Sequence, residues 1–433
     1  MSTQERGERS AIDKNDKKLI LMSPDLGRSY EENFFLFSER ALYLRNKLLL
    51  TNKSTVAGGR IITEELAIEL RVTIFGTAAC PPRGEWIRSP LLMRPPDLPF
   101  AYGLMGPRNS TRSLLTGLQA YIIKWILFDS RPPSMNKKSA EPPESHLRIS
   151  EALQEEVLWR VCSDVIWRCG AQSGSDNKAV VALPTDTTYV YNNLKYYQDG
   201  VTEKLQLFEL KNLEELQIFL KRYLYIFQGD GGALLLLYAM VLTRGCANIK
   251  KDLDGKLNYL LSAQPEGSLN LTMLVITGRA TPYLHNGIVY DGDEDNYALP
   301  QFGVLSRSPV GFLLWQEGLD NRLSVLTKQL PGSRLKTPAF PIWITNSSGH
   351  FGVLFNTNRE LLKNYQAEKR FDIHYYTCGG CYVALNVDTR VESQVTVCKD
   401  DLHTTTLEKL IHTKWQDATI TWSVTNSKID DSS

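Results

Sequence analysis

The sequence has almost no net charge, few cysteines and no apolar run among its first eighteen residues. It carries 49 Lys and Arg residues against 48 Asp and Glu residues, a net charge of +1, so the charge balance does not favour a nucleic acid or an anionic membrane as partner. The seven cysteines are an odd number and are scattered along the chain, which argues against a disulfide framework and is typical of a reducing cytosol or nucleus. Residues 1–18 are polar, so we predict no signal peptide, no transmembrane segment and a cytoplasmic or nuclear protein.

The composition is that of a globular protein. Hydrophobic residues make up 42% of the 433 residues and charged residues 22%, which is a usual profile for a folded domain. The length accommodates one large domain or a few ordinary ones. Residues 1–30 are charged and are predicted to be disordered, whereas the apolar content of residues 31–50 favours a helix, followed by a loop up to residue 60.

The most informative stretch runs from Gly103 to Phe128. Its first part, up to Thr111, is rich in Gly, Pro, Asn, Ser and Thr, which predicts a turn and a helix start. From Arg112 onward, apolar residues recur at helical spacing and also occupy the other faces. A helix that is apolar on nearly all sides is buried, and this one is too short to cross a bilayer. We therefore predict a central core helix that starts at a polar loop.

This stretch resembles the nucleophile region of the MINDY family of ubiquitin-chain-cleaving cysteine proteases, most closely the family's fourth branch and the shorter, "B" form of that branch. Family members read roughly G-L-[IM]-Q-N-x-x-G-P-C-G-x-L-x-x-x-Q-A. Without a gap, the chain keeps Gly103, Leu104, Leu115, Gln119 and Ala120. In that register the nucleophilic Cys of the family falls on Arg112, and the Gln of its oxyanion hole falls on Gly106.

These two substitutions would remove the chemistry. A guanidinium has no lone pair for attack and stays protonated, so Arg112 cannot replace a thiolate. It also places a cation at the positive end of a helix, where a reactive anion would be stabilised. Gly106 has no side-chain donor for a developing oxyanion, a loss of roughly two to three decades of rate by itself. The resemblance therefore implies a retained fold and a lost reaction.

A second region of close resemblance runs from Leu335 to Phe355. Two apolar, β-prone runs flank a polar turn there, which predicts a β-hairpin. His350 is the first residue of the second run, and the resemblance assigns it the position of the general base that deprotonates the Cys. An isolated His at a strand start is more often structural, so this assignment depends on the matching residues around it. The run from Thr277 to Tyr283 also matches the family closely.

The remaining elements are predicted from local patterns. We expect helices over 148–168 and 211–227, strands over 179–184 and 188–192, and a buried strand over 271–276. The segment 71–86 resembles a first strand of the family with its Phe-Gly turn. The resemblance as a whole places one deubiquitinase-like domain over residues 61–425, and we predict a disordered tail over residues 426–433. Gly229 to Gly232 opens an apolar helix and lacks the Gly-Lys-Ser/Thr ending of a phosphate loop, so we favour a packed helix start.

Two alternatives concern cysteine and hydroxyl chemistry. Cys378 and Cys381 have the spacing of half a zinc site, with His374 and Cys398 nearby, but only one such pair is present. Cysteines in a hairpin turn are favoured over zinc or a redox pair, so we expect no metal and no cofactor. Displaced nucleophiles are also conceivable, and the candidates are Ser110, Thr111, Ser113, Cys80 and Cys246. Ser113 is rotated about 100° from the nucleophile position.

The resemblance implies an α+β fold of the papain-like cysteine-protease type, with a central buried helix packed on a β-sheet. It also implies a relationship to enzymes that trim ubiquitin chains linked through the lysine at position forty-eight of ubiquitin. We predict an inactive, monomeric homologue, a pseudoenzyme, whose partner is ubiquitin or polyubiquitin. The alternatives are an active cysteine-type deubiquitinase and a scaffold for a partner other than ubiquitin.

Overall fold

The computed structural model describes most of the chain between residues 58 and 422. The described ranges are 58–130, 147–171, 177–261, 264–292, 299–316, 330–390 and 404–422. The segments predicted to be disordered at residues 1–30 and 426–433, and the helix predicted over residues 31–50, lie outside these ranges.

The helices lie mainly in the first two thirds of the described chain. They are α1 (Glu64–Phe75), α2 (Gly84–Arg88), α3 (Arg112–Lys124), α4 (Glu151–Gly170), α5 (Leu213–Phe227), α6 (Gly232–Arg244), α7 (Cys246–Asp252), α8 (Leu269–Thr277), α9 (Ser333–Lys336) and α10 (Thr406–His412). Several begin at a residue whose side chain accepts a hydrogen bond from the first helical turn, namely Thr63, Ser150, Asn212, Ser268 and Thr405. Such caps satisfy backbone N–H groups that have no partner within the helix.

The strands form three sheets. They are β1 (Arg60–Ile61), β2 (Ala179–Pro184), β3 (Leu205–Leu210), β4 (Ile288–Asp291), β5 (Leu299–Phe302), β6 (Gly311–Trp315), β7 (Ile342–Ser347), β8 (His350–Phe355), β9 (Arg370–Tyr376), β10 (Tyr382–Asp388) and β11 (Thr419–Trp422). The largest sheet has six strands in the order β11-β10-β9-β8-β7-β6. All its pairs are antiparallel except β6 with β7. The others are a three-stranded sheet, β1-β3-β2, and the pair β4-β5.

Helix α3 lies at the centre of the main core. All its residues except Lys124 are buried, and a π-helical turn, Trp125–Asp129, continues it. It packs against α8 and α4 on one side and against β7 and β8 of the six-stranded sheet on another. The chain therefore has the predicted α+β architecture, with a central buried helix on a β-sheet.

Two predicted strands are helices instead. Residues 271–276 belong to α8, and residues 71–75, which resemble a first strand of the family, end α1. Helix α8 is mostly apolar and is buried from Asn270 to Ile276, so its hydrophobic pattern has no exposed polar face that would separate a buried helix from a buried strand. The ends of the helix decide the matter, because Ser268 caps its start and Gly278 ends it with a φ of 76°.

Other predicted elements match more closely. The helices expected over 148–168 and 211–227 are α4 and α5, and the strand expected over 179–184 is β2. Residues 188–192 form no strand. Gly76 keeps the turn predicted after Phe75, with a φ of 83°.

Within the described ranges, no single helix is long and apolar enough to cross a membrane. Helices α6 and α7 reach the required length and composition only as a pair, and they are bent by 84° at their junction.

Candidate functional site

The start of α3 is held by a dense set of hydrogen bonds. The backbone N–H of Arg112 donates to the carbonyl of Asn109 at 3.0 Å, and that of Ser113 donates to the carbonyl of Glu266 at 3.0 Å. The N–H groups of Leu114 and Leu115 both donate to the carbonyl of Thr111. The first N–H groups of the helix therefore already have acceptors within the protein, so they are not open donors for an anion.

Arg112 lies at the first position of this helix and is only 2% exposed. Its Nε donates to the carbonyl oxygen of Pro107 at 3.0 Å. Burial raises the pKa of the Cys378 thiol, and the Arg112 guanidinium partly offsets this effect, so the guanidinium acts electrostatically on the turn that follows β9. Within the described residues, Arg112 forms no ion pair with a carboxylate.

Gly106 lies in the loop before α3 and contacts the same turn. Its N–H donates to the carbonyl of Cys378 at 3.2 Å. A Cβ atom at residue 106 would lie 2.7 Å from Cδ1 of Leu115 and 3.3 Å from Cβ of Cys378. A side chain at this position therefore requires the end of the Leu115 side chain to move. The structure thus brings together two of the predicted positions, Arg112 and Gly106, around Cys378.

His350 occupies the first position of β8, as predicted, where it pairs with Ser347 of β7. The two residues between them, Ser348 and Gly349, have φ angles of 50° and 91°, and two positive φ angles in a two-residue loop are the geometry of a type I′ hairpin turn. The predicted hairpin is confirmed. The His350 side chain is 61% exposed.

Glu266 is the residue that sequence analysis missed. Its Oε1 lies 2.8 Å from Nδ1 of His350, and its Oε2 accepts a hydrogen bond from the N–H of Phe351 at 3.2 Å. The Glu266 side chain is only 7% exposed, and Nε of Arg108 lies 3.9 Å from its Oε1. A carboxylate on one ring nitrogen orients an imidazole and leaves the other nitrogen available, which is the arrangement of a positioned acid–base histidine.

Glu266 also connects His350 to the start of α3, because its carbonyl accepts the N–H of Ser113. The adjacent Gly267 has a φ of 114°, and a Cβ there would collide with the side chain of Ser113. The close approach of these two segments thus requires glycine. An acidic residue before a Gly-Ser helix start was visible in the sequence, but its distance of 84 residues from His350 gave no reason to pair them.

The alternative hydroxyl nucleophiles are engaged elsewhere. Ser113 is fully buried, and its Oγ accepts the N–H of Ser268 at 3.2 Å. Ser110 Oγ donates to the carboxylate of Glu85. Thr111 Oγ1 donates to Oδ1 of Asn109 at 2.7 Å.

Neither alternative cysteine nucleophile belongs to the elements that carry Arg112 and His350. Cys80 is exposed in the loop between α1 and α2, and Cys246 is buried at the start of α7. Burial raises the pKa of Cys246 to about 11, which disfavours the reactive thiolate.

Cys378 and Cys381 lie in the hairpin turn between β9 and β10. Cys378 is buried and Cys381 is exposed. Gly380 has a φ of 90°, and its N–H donates to the carbonyl of Thr377. In the described part of the chain, no group of three or more potential ligands could hold a metal ion. Cys398 lies outside that part.

Gln119, which the chain shares with the family pattern, has a structural position. Its Oε1 accepts the N–H of Leu104 at 2.6 Å, and its Nε2 donates to the carbonyl of Tyr102 at 3.0 Å. The side chain is fully buried. It therefore fixes the loop before α3 to the helix itself.

The run from Thr277 to Tyr283 is also anchored by buried charges. Asp252 pairs with Arg244 at 2.8 Å and with Arg279 at 3.3 Å, and it accepts the N–H of Ala280. Tyr283 donates through its hydroxyl to Asp254 at 2.7 Å. These contacts attach the loop after α8 to the end of α7.

Comparison with known proteins agrees with this architecture. Residues 71–424 match the sequence model of the family described as "Deubiquitinating enzyme MINDY-3/4, conserved domain". The chain is 31% identical over 379 residues to the probable ubiquitin carboxyl-terminal hydrolase MINDY-4 of Xenopus tropicalis, an alignment that covers 85% of this chain and 46% of that protein.

Two human proteins are also similar. The probable ubiquitin carboxyl-terminal hydrolase MINDY-4 is 29% identical over 364 residues, which cover 83% of this chain and 45% of that protein. The ubiquitin carboxyl-terminal hydrolase MINDY-3 is 26% identical over 265 residues, which cover 58% of this chain and 56% of that protein.

The chain spans about half the length of the MINDY-4 relatives that it matches. No solved structure matches the chain. The family match extends over most of the sequence and includes α3, the β7–β8 hairpin and Glu266. The chain therefore belongs to the MINDY-3/4 family of deubiquitinating-enzyme domains.

Proposed function

We propose that this chain is a catalytically inactive MINDY domain that binds ubiquitin chains without cleaving them. The observation that carries the proposal is the buried Arg112 at the start of α3, in the position that the family register assigns to the nucleophile. A protonated guanidinium cannot attack a carbonyl carbon. The Gly106 backbone N–H, the donor left at the oxyanion position, is bonded to the carbonyl of Cys378.

The residues around this position support retention of a binding surface. His350 is held by Glu266 and remains 61% exposed. The loop before α3 is fixed by Gln119, and the hairpin that carries His350 is intact. Replacement of the nucleophile removes the chemical step, but the fold around it is kept. Ubiquitin binding can therefore remain, because catalysis and binding depend on different interactions.

A cleavage assay tests the inactivity. The full chain is incubated with tetra-ubiquitin linked through lysine forty-eight of ubiquitin, with the human MINDY-3 protein as an active reference. We expect no shortening of the chains by the wild type. Cleavage that disappears in the His350→Ala variant would overturn the proposal, because it would reveal a displaced nucleophile served by the same histidine.

A binding assay tests the retained surface. Calorimetric titration with mono-ubiquitin and with the same tetra-ubiquitin should give an affinity that increases with chain length. No heat of binding up to about 1 mM ubiquitin would contradict chain binding. The retained fold would then serve as a scaffold for a different partner.

A further inference from the structure

The Arg112 guanidinium is a buried cation whose hydrogen-bonding capacity is mostly unused. It has five N–H donors, and the one at Nε donates to Pro107. In the described part of the chain, no hydrogen bond or ion pair uses its Nη atoms. Neither Nη atom is among the fully enclosed side-chain atoms without a partner, so both keep some contact with the surface. A desolvated charge is costly unless it is paired.

Two tyrosines and a cysteine beside Arg112 do not neutralise it, and the nearby carboxylate of Glu266 is bonded to His350 instead. Burial raises the pKa of both Tyr375 and Tyr376 to about 12, and Arg112 acts against this rise in each case. Burial likewise raises the pKa of Cys378. All three side chains are therefore neutral at physiological pH. They supply hydroxyl and thiol groups around the cation but no negative charge.

The position of Arg112 indicates the kind of anion that would complete the site. The guanidinium fork binds a carboxylate through two parallel hydrogen bonds. In the family register, this position faces the carbonyl carbon at the carboxyl terminus of ubiquitin, and hydrolysis converts that carbonyl into a free carboxylate. The N–H groups at the start of α3 are already bonded, so the anion would be held by the side chain of Arg112.

We propose that Arg112 is a receptor for the free C-terminal carboxylate of unconjugated ubiquitin. The proposal rests on the proposed ubiquitin binding and makes it more specific. In the family, the residue at this position attacks the carbonyl carbon at the C-terminus of ubiquitin, whereas here Arg112 would pair with the carboxylate that this hydrolysis produces. A ubiquitin joined to a lysine through an amide presents a neutral group. The chain therefore discriminates in favour of ubiquitin, or of a ubiquitin chain, whose last carboxylate is free.

The test compares three forms of mono-ubiquitin in calorimetric titrations with the full wild-type chain. One has the natural free C-terminus, the second ends in a C-terminal amide, and the third lacks its last two residues. We expect the carboxylate form to bind about 10- to 100-fold more tightly than the amide form, as for a hydrogen-bonded charge pair. The preference should decrease with added salt.

Two variants locate the effect. Arg112→Met keeps the approximate length of the side chain and removes the charge, and it should bind the carboxylate and amide forms equally. Arg112→Lys keeps the charge without the planar fork, and it should retain a smaller preference. Equal binding of the truncated form to wild type and to Arg112→Met would verify that the rest of the surface is unchanged.

The outcomes separate the two proposals. Equal affinity of the wild type for the carboxylate and amide forms would overturn the role of Arg112 and leave ubiquitin binding standing. A preference that persists in Arg112→Met would also overturn it, since another cation would then hold the carboxylate. Absence of binding by all three forms would overturn the proposed function together with the inference.

Discussion

Oε1 of Glu266 lies 2.8 Å from Nδ1 of His350, although the two residues come from different segments, the loop before α8 and the start of β8. The same Glu266 accepts the N–H of Ser113 through its carbonyl, directly beside Arg112. A paired acid and histidine thus remain next to a position that holds an arginine.

Restoring the two substituted positions should restore some reactivity. In the double variant Arg112→Cys with Gly106→Gln, we expect slow labelling by a ubiquitin-based electrophilic probe, because His350 and Glu266 can activate a thiol at the head of α3. Adding Glu266→Gln should slow labelling by about tenfold or more, and adding His350→Ala should abolish it. The measurement is the mass shift of the intact protein over time.

The control for this experiment is Arg112→Ser with Gly106→Gln, which should not be labelled. Labelling of the double variant that persists without His350 would mean that a different thiol reacts. No labelling at all would show that the new side chain at residue 106 cannot be accommodated against Leu115, which lies 2.7 Å from the position of its Cβ.

The buried pair of Arg71 and Asp199 should be much more important for stability than an exposed pair. Their side chains are 0% exposed and 2.6 Å apart, and Asp199 also accepts the N–H and hydroxyl of Thr202. Asp199→Ala leaves a buried cation without its partner, so we expect a loss of about 3–5 kcal/mol in the free energy of unfolding. Urea denaturation followed by tryptophan fluorescence measures it.

The matched control is Glu209→Ala, which breaks a pair with Lys178 whose side chains are about half exposed. Its cost should stay below about 1 kcal/mol. Similar costs for the two variants would contradict the assignment of Arg71 and Asp199 as a buried anchor between α1 and the loop before β3.

Two glycines at the start of α6 should differ in their tolerance of a methyl group. A Cβ at Gly232 would collide with the carbonyl oxygen of Phe227, whereas the nearest atom to a Cβ at Gly229 is 3.5 Å away. We expect Gly232→Ala to destabilise the protein by more than about 2 kcal/mol and Gly229→Ala to stay within about 0.5 kcal/mol. Thermal and urea unfolding measure both.

Equal effects of the two alanines would show that the chain before α6 can move away from Phe227. The result also tests the interpretation of the Gly-rich motif from Gly229 to Gly232. A packed helix start requires Gly232 for steric reasons, whereas it requires no bound phosphate.

The buried thiols should make the protein sensitive to alkali. Burial raises the pKa of Cys162 and of Cys169 to about 12, from an ordinary value of 9.0. Because the folded-state pKa lies above the unfolded value, the protonated thiols contribute stability that is complete below pH 9 and is lost as the pH rises toward 12. The urea midpoint should therefore decrease over this range.

Alkylation at pH 8 provides the control, read out by mass spectrometry of peptides. The exposed Cys80 and Cys381 should react with iodoacetamide in the native protein, whereas Cys162 and Cys169 should react only after denaturation. Rapid native labelling of either buried thiol would contradict the pH argument. Cys80→Ala should leave the alkaline change in stability unaltered.

The local sequence was sufficient to predict those helices and strands whose hydrophobic pattern fits only one type of secondary structure. The hairpin that carries His350 is an example, because two apolar runs around a polar turn fit few structures. The start of α3 is another, since its polar loop and continuous apolar run predict a buried helix. By contrast, α8 was predicted to be a strand, because a segment buried on every side has no polar face from which its period can be read.

The sequence by itself determined that α3 begins with Arg112 and that its helix is buried, since residue type and spacing are local properties. The pairing of Glu266 with His350, the unused donors of Arg112 and the enclosure of Tyr375, Tyr376 and Cys378 around it were decided only by the tertiary structure. These features depend on contacts between segments far apart in the chain, and on the exclusion of water from their meeting point, which no local pattern encodes.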